Sequence, residues 1–116
     1  KCNSIGISKM KYLKLEIFIP ETHLQILQDV LQKVDAGHFG NYDSCLAYSR
    51  VTGTWRPLDG TKPYIGEHGK ISEEPEIKVE VNIYVDRLEE TIRAIKNVHP
   101  YEEPVINIIP LSNGTI

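Results

Sequence analysis

The sequence lacks long hydrophobic runs and clusters of positive charge, and each lack excludes a class of function. Its longest unbroken apolar stretch is only a few residues, so no membrane-spanning helix is predicted. It contains no block of Lys or Arg, and its formal net charge is −3. Nucleic acid and anionic membrane surfaces are therefore not expected as partners.

Cysteine is also scarce. Cys2 and Cys45 are the only two, and they do not make a disulfide framework. No targeting segment is visible, so the sequence favours a reducing compartment, the cytoplasm.

With 116 residues, 41% of them hydrophobic and 25% charged, the chain is long enough for one globular domain with a modest core. Residues 1–10 carry no pattern and are expected to form a disordered extension, with Met10 as a hypothetical native start. Residues 11–111 are expected to form a single domain, and residues 112–116 a short tail.

The first half of the domain reads as a strand followed by a helix. Residues 11–19 alternate between apolar and charged positions, and Pro20 ends this strand. Thr22 and Gln25 fit a capping box at a helix start, and Gly37 fits a left-handed residue at its end. The buried stripe of this helix is predicted to consist of Leu24, Leu27, Leu31 and Val34.

The second half repeats the pattern. Residues 77–85 alternate strictly, Asp86 with Glu89 suits a helix start, and Pro100 ends the helix. The buried stripe of this second helix is predicted to consist of Leu88, Ile92, Ile95 and Val98.

Each half returns through a further strand, at residues 44–50 and 104–109. Prolines at 104 and 110 suit an edge strand, because proline cannot donate to a ladder. The order βαββαβ predicts an α+β fold, a ferredoxin-like two-layer sandwich with a four-stranded antiparallel sheet and both helices on one face.

Residues 51–75 form an unusually long connection between the two inner strands. Ordering this backbone costs more free energy than its few apolar residues return, so we expect it to be mobile or held by a neighbouring subunit. Aromatic and Arg residues are enriched at interfaces. The predicted interface residues are Trp55, Arg56, Pro57, Leu58 and Tyr64. The alternative is that Trp55 packs against its own sheet.

Two histidines follow the predicted helices, His38 and His99. Together with Glu102, and with Glu103 or Asp43 as alternative carboxylates nearby in sequence, they form a chemically reasonable metal site of imidazole and carboxylate ligands. The alternative is that each histidine caps the last helical carbonyls. No His-Glu-x-x-His or Cys-x-x-Cys motif supports zinc catalysis. The cofactor is unknown, and the two histidines suggest a divalent metal ion.

The glycine-rich segments around Gly53, Gly60 and Gly66 lack the spacing that would place a Lys and a Ser/Thr after the second glycine of a phosphate loop, and they are read as turns. The positive charges available to a bound anion are those of Arg56, Lys62 and Lys70, which are otherwise solvated loop charges. The candidate ligand-binding residues are His38, Asn41, Tyr42, Asp43, Arg56, Lys62 and His68.

Nucleophilic catalysis by Ser44 or Cys45 with His38 has no third orienting group, and Cys45 is expected to point into the sheet. The tyrosines at 42, 64 and 101 are expected to be half-buried rings at a subunit edge.

Four segments then resemble a known family: residues 37–45, 52–60, 63–67 and 99–104. They look like the domain inserted in bacterial Nif3-like proteins of the YqfO type, and the likeness covers residues 11–111. The segment that begins His-Pro-Tyr-Glu at position 99 is also similar to the C-terminal end of CutA, a cation-tolerance protein.

The resemblance implies a ferredoxin-like fold of the PII/CutA type, whose members are usually trimers built by sheet-edge contacts. It implies a non-enzymatic binding or regulatory module, a homotrimer that holds a divalent cation or a small anion at subunit interfaces. The dimetal site of Nif3-like proteins belongs to their flanking domain, so their enzyme-like part is not carried over. Two alternatives are a metal-dependent hydrolase using His38, His99 and Glu102, and a structural domain that docks on a separate Nif3-like protein.

Overall fold

The computed structural model describes residues 11–112 and contains the predicted strand–helix repeat. Its sheet is antiparallel throughout, in the order β2-β3-β1-β4. The elements are β1 (Tyr12–Ile19), α1 (Leu24–Lys33), β2 (Leu46–Trp55), β3 (Ser72–Tyr84), α2 (Leu88–Val98) and β4 (Ile106–Pro110). The predicted order βαββαβ is confirmed, whereas the expectations for residues 1–10 and 113–116 lie outside the described residues.

The core lies between one face of the sheet and the two helices. Odd positions of β1 pair with odd positions of β3, as in Leu15 with Val81 and Ile17 with Val79. All four of these side chains are buried. The predicted inner faces are therefore correct. The helices contribute the buried side chains of Leu27, Leu31, Thr91 and Ile95.

The other face of the sheet, here called the outer face, carries charged side chains at its centre. Lys14 pairs with Glu80, and Lys78 Nζ lies 3.5 Å from Glu16 Oε2. Asn107 Nδ2 donates to Glu16 Oε1 over 3.2 Å. Neither α1 nor α2 covers these groups, so within residues 11–112 the outer face is polar in the middle and is covered only at its ends.

Both predicted capping boxes are wrong. Each helix instead begins with a 3₁₀ turn, Glu21–His23 or Val85–Arg87, and no side chain caps either turn or either helix. Backbone bonds between residues three apart satisfy these first amide groups. Val85, predicted in a strand, lies in the second turn and is exposed.

Gly37 does not close helix α1, as the sequence had predicted. Helix α1 ends at Lys33, and Asp35 is the first residue with a left-handed backbone, at φ 61°. Gly37 follows at φ 79°, and a Cβ there would lie 2.5 Å from the Cys45 carbonyl oxygen. Glycine at this position therefore permits the chain to approach the start of β2 closely.

Strands β2 and β3 are both longer than predicted. The strand predicted at residues 44–50 is β2, which continues to Trp55, where Trp55 pairs with Ser72. The supposedly irregular connection at residues 51–75 thus shortens to residues 56–71. The two ends of the predicted connection, residues 51–55 and 72–75, belong instead to the paired strands β2 and β3.

Candidate functional site

The connection at residues 56–71 is fastened by contacts within its own chain. Trp55 Nε1 donates a hydrogen bond to the Ile65 carbonyl oxygen over 3.1 Å. The Gly69 amide donates to the Pro57 carbonyl over 2.7 Å, and Pro57 is buried. The expectation of a connection that is mobile unless a neighbour holds it is therefore corrected. Trp55 takes the alternative position, against its own chain.

An aromatic cluster lies beneath this connection, with Tyr101 at its centre. The centroid of the Tyr101 ring is 5.8 Å from that of Trp55, 6.0 Å from that of Tyr64 and 4.9 Å from that of His99. His23 extends the cluster with an edge contact to Tyr64. Contacts of this kind add to the free energy gained by burying the rings.

His99 is a structural member of this cluster. Its Nε2 lies 2.7 Å from the Phe18 carbonyl oxygen, and its Nδ1 accepts the Tyr101 amide over 3.2 Å. These partners require the neutral tautomer that carries the proton on Nε2. Burial lowers the pKa of His99, which favours the same neutral form. Neither nitrogen is free to bind a metal ion.

A buried carboxylate, Glu76, lies beside Tyr101. Glu76 is 6% exposed, and its Oε2 accepts a hydrogen bond of 2.7 Å from the Tyr101 hydroxyl. Burial and this carboxylate raise the pKa of Tyr101 well above its ordinary value, so the hydroxyl remains a donor. The Glu76 side chain crosses over Gly53 on β2, where a Cβ would overlap its Oε1. A glycine inside a strand often marks such an approach.

These groups line a cavity of about 550 Å³ at one end of the outer face, here called the Trp55 cavity. Glu76, Glu102 and Glu103 contribute three carboxylates to its lining, and Arg56 contributes the opposing charge. The Lys62 amide donates to Glu102 Oε1 over 2.9 Å, which ties the connection to the segment after α2. Aromatic and apolar walls complete the lining, from Phe18, Trp55, Pro57, Leu58, Tyr64, Ile65, Tyr101 and Val105.

A second cavity of about 350 Å³ includes His38 and Phe39 in its lining. It reaches Tyr12 of β1, whereas the Trp55 cavity reaches Phe18. Phe18 lies six positions after Tyr12 along β1, so the Cα atoms of the two residues are about 20 Å apart. The candidate ligand-binding residues His38 and Arg56 therefore line separate cavities within one chain.

His38 is held by hydrogen-bond partners on both sides of its ring. Its Nδ1 lies 3.0 Å from Asp35 Oδ1 and its Nε2 lies 2.9 Å from the Gly40 carbonyl oxygen, so both nitrogens face acceptors. The Asp35 carboxylate, with help from the Gly40 carbonyl, raises the pKa of His38. Neither the His38 ring nor the His99 ring caps a helix carbonyl, as the alternative interpretation had required.

The predicted ligand set of His38, His99 and Glu102 is not brought together within one chain. The two histidines lie near opposite ends of β1, and their ring nitrogens already have partners. Among residues 11–112, no group of three or more His, Cys, Asp or Glu side chains is placed to hold a metal ion. The residues therefore do not fit a metal centre of the single chain.

The remaining candidates near His38 are exposed. Phe39 and Tyr42 exchange two backbone hydrogen bonds across a tight turn, and Tyr42 is 73% exposed rather than half-buried. Asn41 and Asp43 are exposed too. Cys45 is also exposed, which corrects the expectation that it points into the sheet.

The predicted interface and loop residues surround the mouth of the Trp55 cavity. Leu58 is 59% exposed and Tyr64 is 51% exposed, and Arg56 is exposed as well. His68 Nε2 donates to the Thr61 carbonyl oxygen over 2.7 Å, so its ring fastens the connection. Sequence reasoning missed Glu76, and the one available signal was Gly53, whose missing side chain leaves room for the Glu76 carboxylate.

Comparisons with known proteins identify a family and several proteins that this chain resembles. The family of the CutA1 divalent ion tolerance protein matches residues 64–116. A protein of Halalkalibacterium halodurans named GTP cyclohydrolase 1 type 2 homolog is 38% identical over 100 residues, which are 86% of this chain and 27% of that protein.

Two solved structures show the same fold. The Bacillus cereus protein related to NIF3 aligns with a TM-score of 0.79 and 32% identity, over 90% of this chain and 26% of that one. The periplasmic divalent cation tolerance protein CutA of Archaeoglobus fulgidus aligns with a TM-score of 0.66 and 19% identity, over 89% and 86% of the two chains.

This chain spans only about a quarter to a third of the curated relatives it matches. No helix among residues 11–112 is long and apolar enough to cross a membrane. The resemblance to the Nif3-like proteins and to CutA is confirmed, and the chain is a domain of PII/CutA-like fold related to a segment of the Nif3-like proteins.

Proposed function

We propose that this chain is a non-enzymatic, homo-oligomeric binding module whose ligand enters the Trp55 cavity. One observation carries this proposal: the cavity is bordered by large apolar side chains that remain exposed. Leu58, Tyr64 and Val105 line it and are between 51% and 59% exposed. Exposed apolar groups beside a cavity favour an interaction surface. A neighbouring copy that covered them would also complete the cavity walls.

The sheet edges support the same proposal. Strand β2 is a ten-residue edge with Tyr48 54% exposed, and edge strand β4 exposes Ile108 and Ile109. Uncovered edges of this kind readily pair with another chain. A homotrimer is the assembly that the PII/CutA resemblance implies, and the cytoplasm is the compartment we propose for it.

The chemical class of the ligand does not follow from the names of the related proteins alone. A divalent cation, which the names of the CutA relatives suggest, would require ligands from more than one copy, because one chain does not assemble them. A small anion would meet the carboxylates of Glu76, Glu102 and Glu103. The hydrolase alternative is not favoured, since the ring nitrogens of His38 and His99 already have hydrogen-bond partners within the chain and are not available to a metal ion.

Light scattering at micromolar concentration tests the assembly. We expect a mass of about three times the 13.2 kDa of one chain. Val105→Glu should lower this mass, because it places a charge on an exposed apolar residue that borders the cavity. Ile26→Glu is the control, since Ile26 is 46% exposed on α1, away from the cavity. A wild-type monomer would refute the oligomeric module.

A second role is favoured by the length of the relatives. The matched segment makes up 27% of the Halalkalibacterium halodurans protein and 26% of the Bacillus cereus protein. We infer that a domain of this kind also acts attached to, or docked on, a Nif3-like protein. Sedimentation of this chain with a purified Nif3-like protein from which the matched segment has been deleted tests the docking, and independent migration of the two would refute it.

A further inference from the structure

We propose that the Trp55 cavity binds an organic cation, an amine or quaternary ammonium group. The inference rests on the proposed function in one respect, since it names the ligand class of the same cavity. Three features of the cavity carry it: an excess of negative charge, a buried carboxylate with an unused oxygen, and aromatic walls.

The charge of the lining favours a cation. Glu76, Glu102 and Glu103 face one guanidinium, that of Arg56, among the side chains that line the cavity. Arg56, Glu102 and Glu103 are exposed and reach solvent, whereas Glu76 is 6% exposed. The low-dielectric floor of the cavity therefore carries negative charge, where electrostatic interactions are least screened.

Glu76 has acceptor capacity that the protein leaves unused. Its Oε2 accepts the Tyr101 hydroxyl, but no donor among residues 11–112 reaches its Oε1. That oxygen lies over Gly53, a residue without a side chain to satisfy it. Among residues 11–112, Arg87 Nε is the only fully buried side-chain nitrogen or oxygen without a partner, so Glu76 Oε1 keeps contact with the solvent in the cavity. A cation in the cavity would supply the partner.

The aromatic walls select an organic cation over a metal ion. Trp55, Tyr64 and Tyr101 line the cavity, and the negatively charged faces of Trp and Tyr rings attract ammonium groups. A divalent metal ion instead requires several oxygen or nitrogen ligands, and none of the described groups forms such a set. The volume of about 550 Å³ is that of a small-molecule site.

Trp55 provides the readout, since it is the single tryptophan of the chain. The probe is choline, with 3,3-dimethylbutan-1-ol as its neutral isostere, at constant ionic strength. We expect a saturable change in Trp55 fluorescence with choline and an affinity for the isostere at least about tenfold weaker. Equal responses to both probes, or no saturable response to choline, would overturn the proposal.

Two variants locate the site. Glu76→Gln should weaken choline binding about tenfold, because it removes the buried charge. Glu73→Gln is the matched control: it makes the same change on β3, but Glu73 is exposed, does not line the cavity and should leave the affinity unchanged. If Glu76→Gln does not fold, Glu103→Gln, an exposed change on the cavity wall, should weaken binding in the same direction.

An equal loss in Glu73→Gln and the cavity variants would mean that choline responds only to overall charge, and would also overturn the proposal. Light scattering on the same samples separates the two proposals. Selective choline binding by a monomer would refute the oligomeric module alone. A trimer that does not bind choline would refute the organic-cation site alone.

Discussion

Replacing Tyr101 by Phe isolates the contact on which the Trp55 cavity is built. The change removes only the hydroxyl that donates to Glu76 Oε2 over 2.7 Å. The ring remains against Trp55 and His99. A hydrogen bond to a charged group contributes about 1.5–3 kcal/mol, and the Glu76 carboxylate would be left buried without this donor. We therefore expect the free energy of unfolding to fall by about 2 kcal/mol.

Urea unfolding at fixed protein concentration, followed by Trp55 fluorescence, measures this loss. The denaturation midpoint should fall with an unchanged m-value, and the melting temperature should fall by about 6–12 °C. Tyr42→Phe is the control, because Tyr42 is 73% exposed and should change the stability by less than about 0.5 kcal/mol. In a Glu76→Gln background, Tyr101→Phe should cost only about 1 kcal/mol, as for a neutral hydrogen bond. Equal effects of Tyr101→Phe and Tyr42→Phe would refute the reasoning.

Three further predictions concern β2, the histidines and the core. Gly53→Ala should lower the free energy of unfolding by about 1–3 kcal/mol in urea, because the new Cβ overlaps Glu76 Oε1. In NMR titrations, His99 should titrate below pH 6.5 and His38 above it. The stability linked to His99 is present above pH 6.5 and is lost as the pH falls below it, because the unfolded chain then binds more protons. The stability linked to His38 has the opposite sign: it is present below pH 6.5 and is lost as the pH rises through the raised pKa. Leu27→Ala should cost about 2–5 kcal/mol, since Leu27 is fully buried.

Each of these predictions has a result that would contradict it. An equal cost of Gly53→Ala after Glu76 is truncated to Ala would show that the overlap is not the cause. Titration of both histidines at one pH would contradict their assigned partners. For the core, Ile26→Ala lies one position from Leu27 at an exposed site, and an equal loss there would contradict the assigned buried face.

The sheet and helices could be predicted because their buried faces follow simple periods. Residues 77–83 alternate strictly, and the stripe that contains Leu27 and Leu31 repeats at helical spacing. The helix starts could not be predicted, because 3₁₀ turns bonded through the backbone leave no side-chain signature. The end of β2 was missed because Thr52, Gly53 and Thr54 resemble a turn, although their partners on β3 hold them in the ladder.

The candidate site was harder to predict than the fold. Glu76 stands among the acidic residues at the start of β3, where a glutamate is normally solvent-facing. It is buried only because residues 56–65 and 101–105 fold over the outer face. Likewise, the two histidines that follow the helices suggested a shared site. The turn after Lys33 and the antiparallel sheet instead place them near opposite ends of β1.

The indole N–H signal of Trp55 in a ¹⁵N-labelled sample tests the central claim most directly. The chain has one tryptophan, so the signal is unambiguous. Our account predicts slow hydrogen exchange, because Nε1 donates to the Ile65 carbonyl oxygen, and a shift on addition of choline but not of its neutral isostere. An indole that exchanges as fast as in the unfolded chain, with a signal that choline does not move, would contradict it.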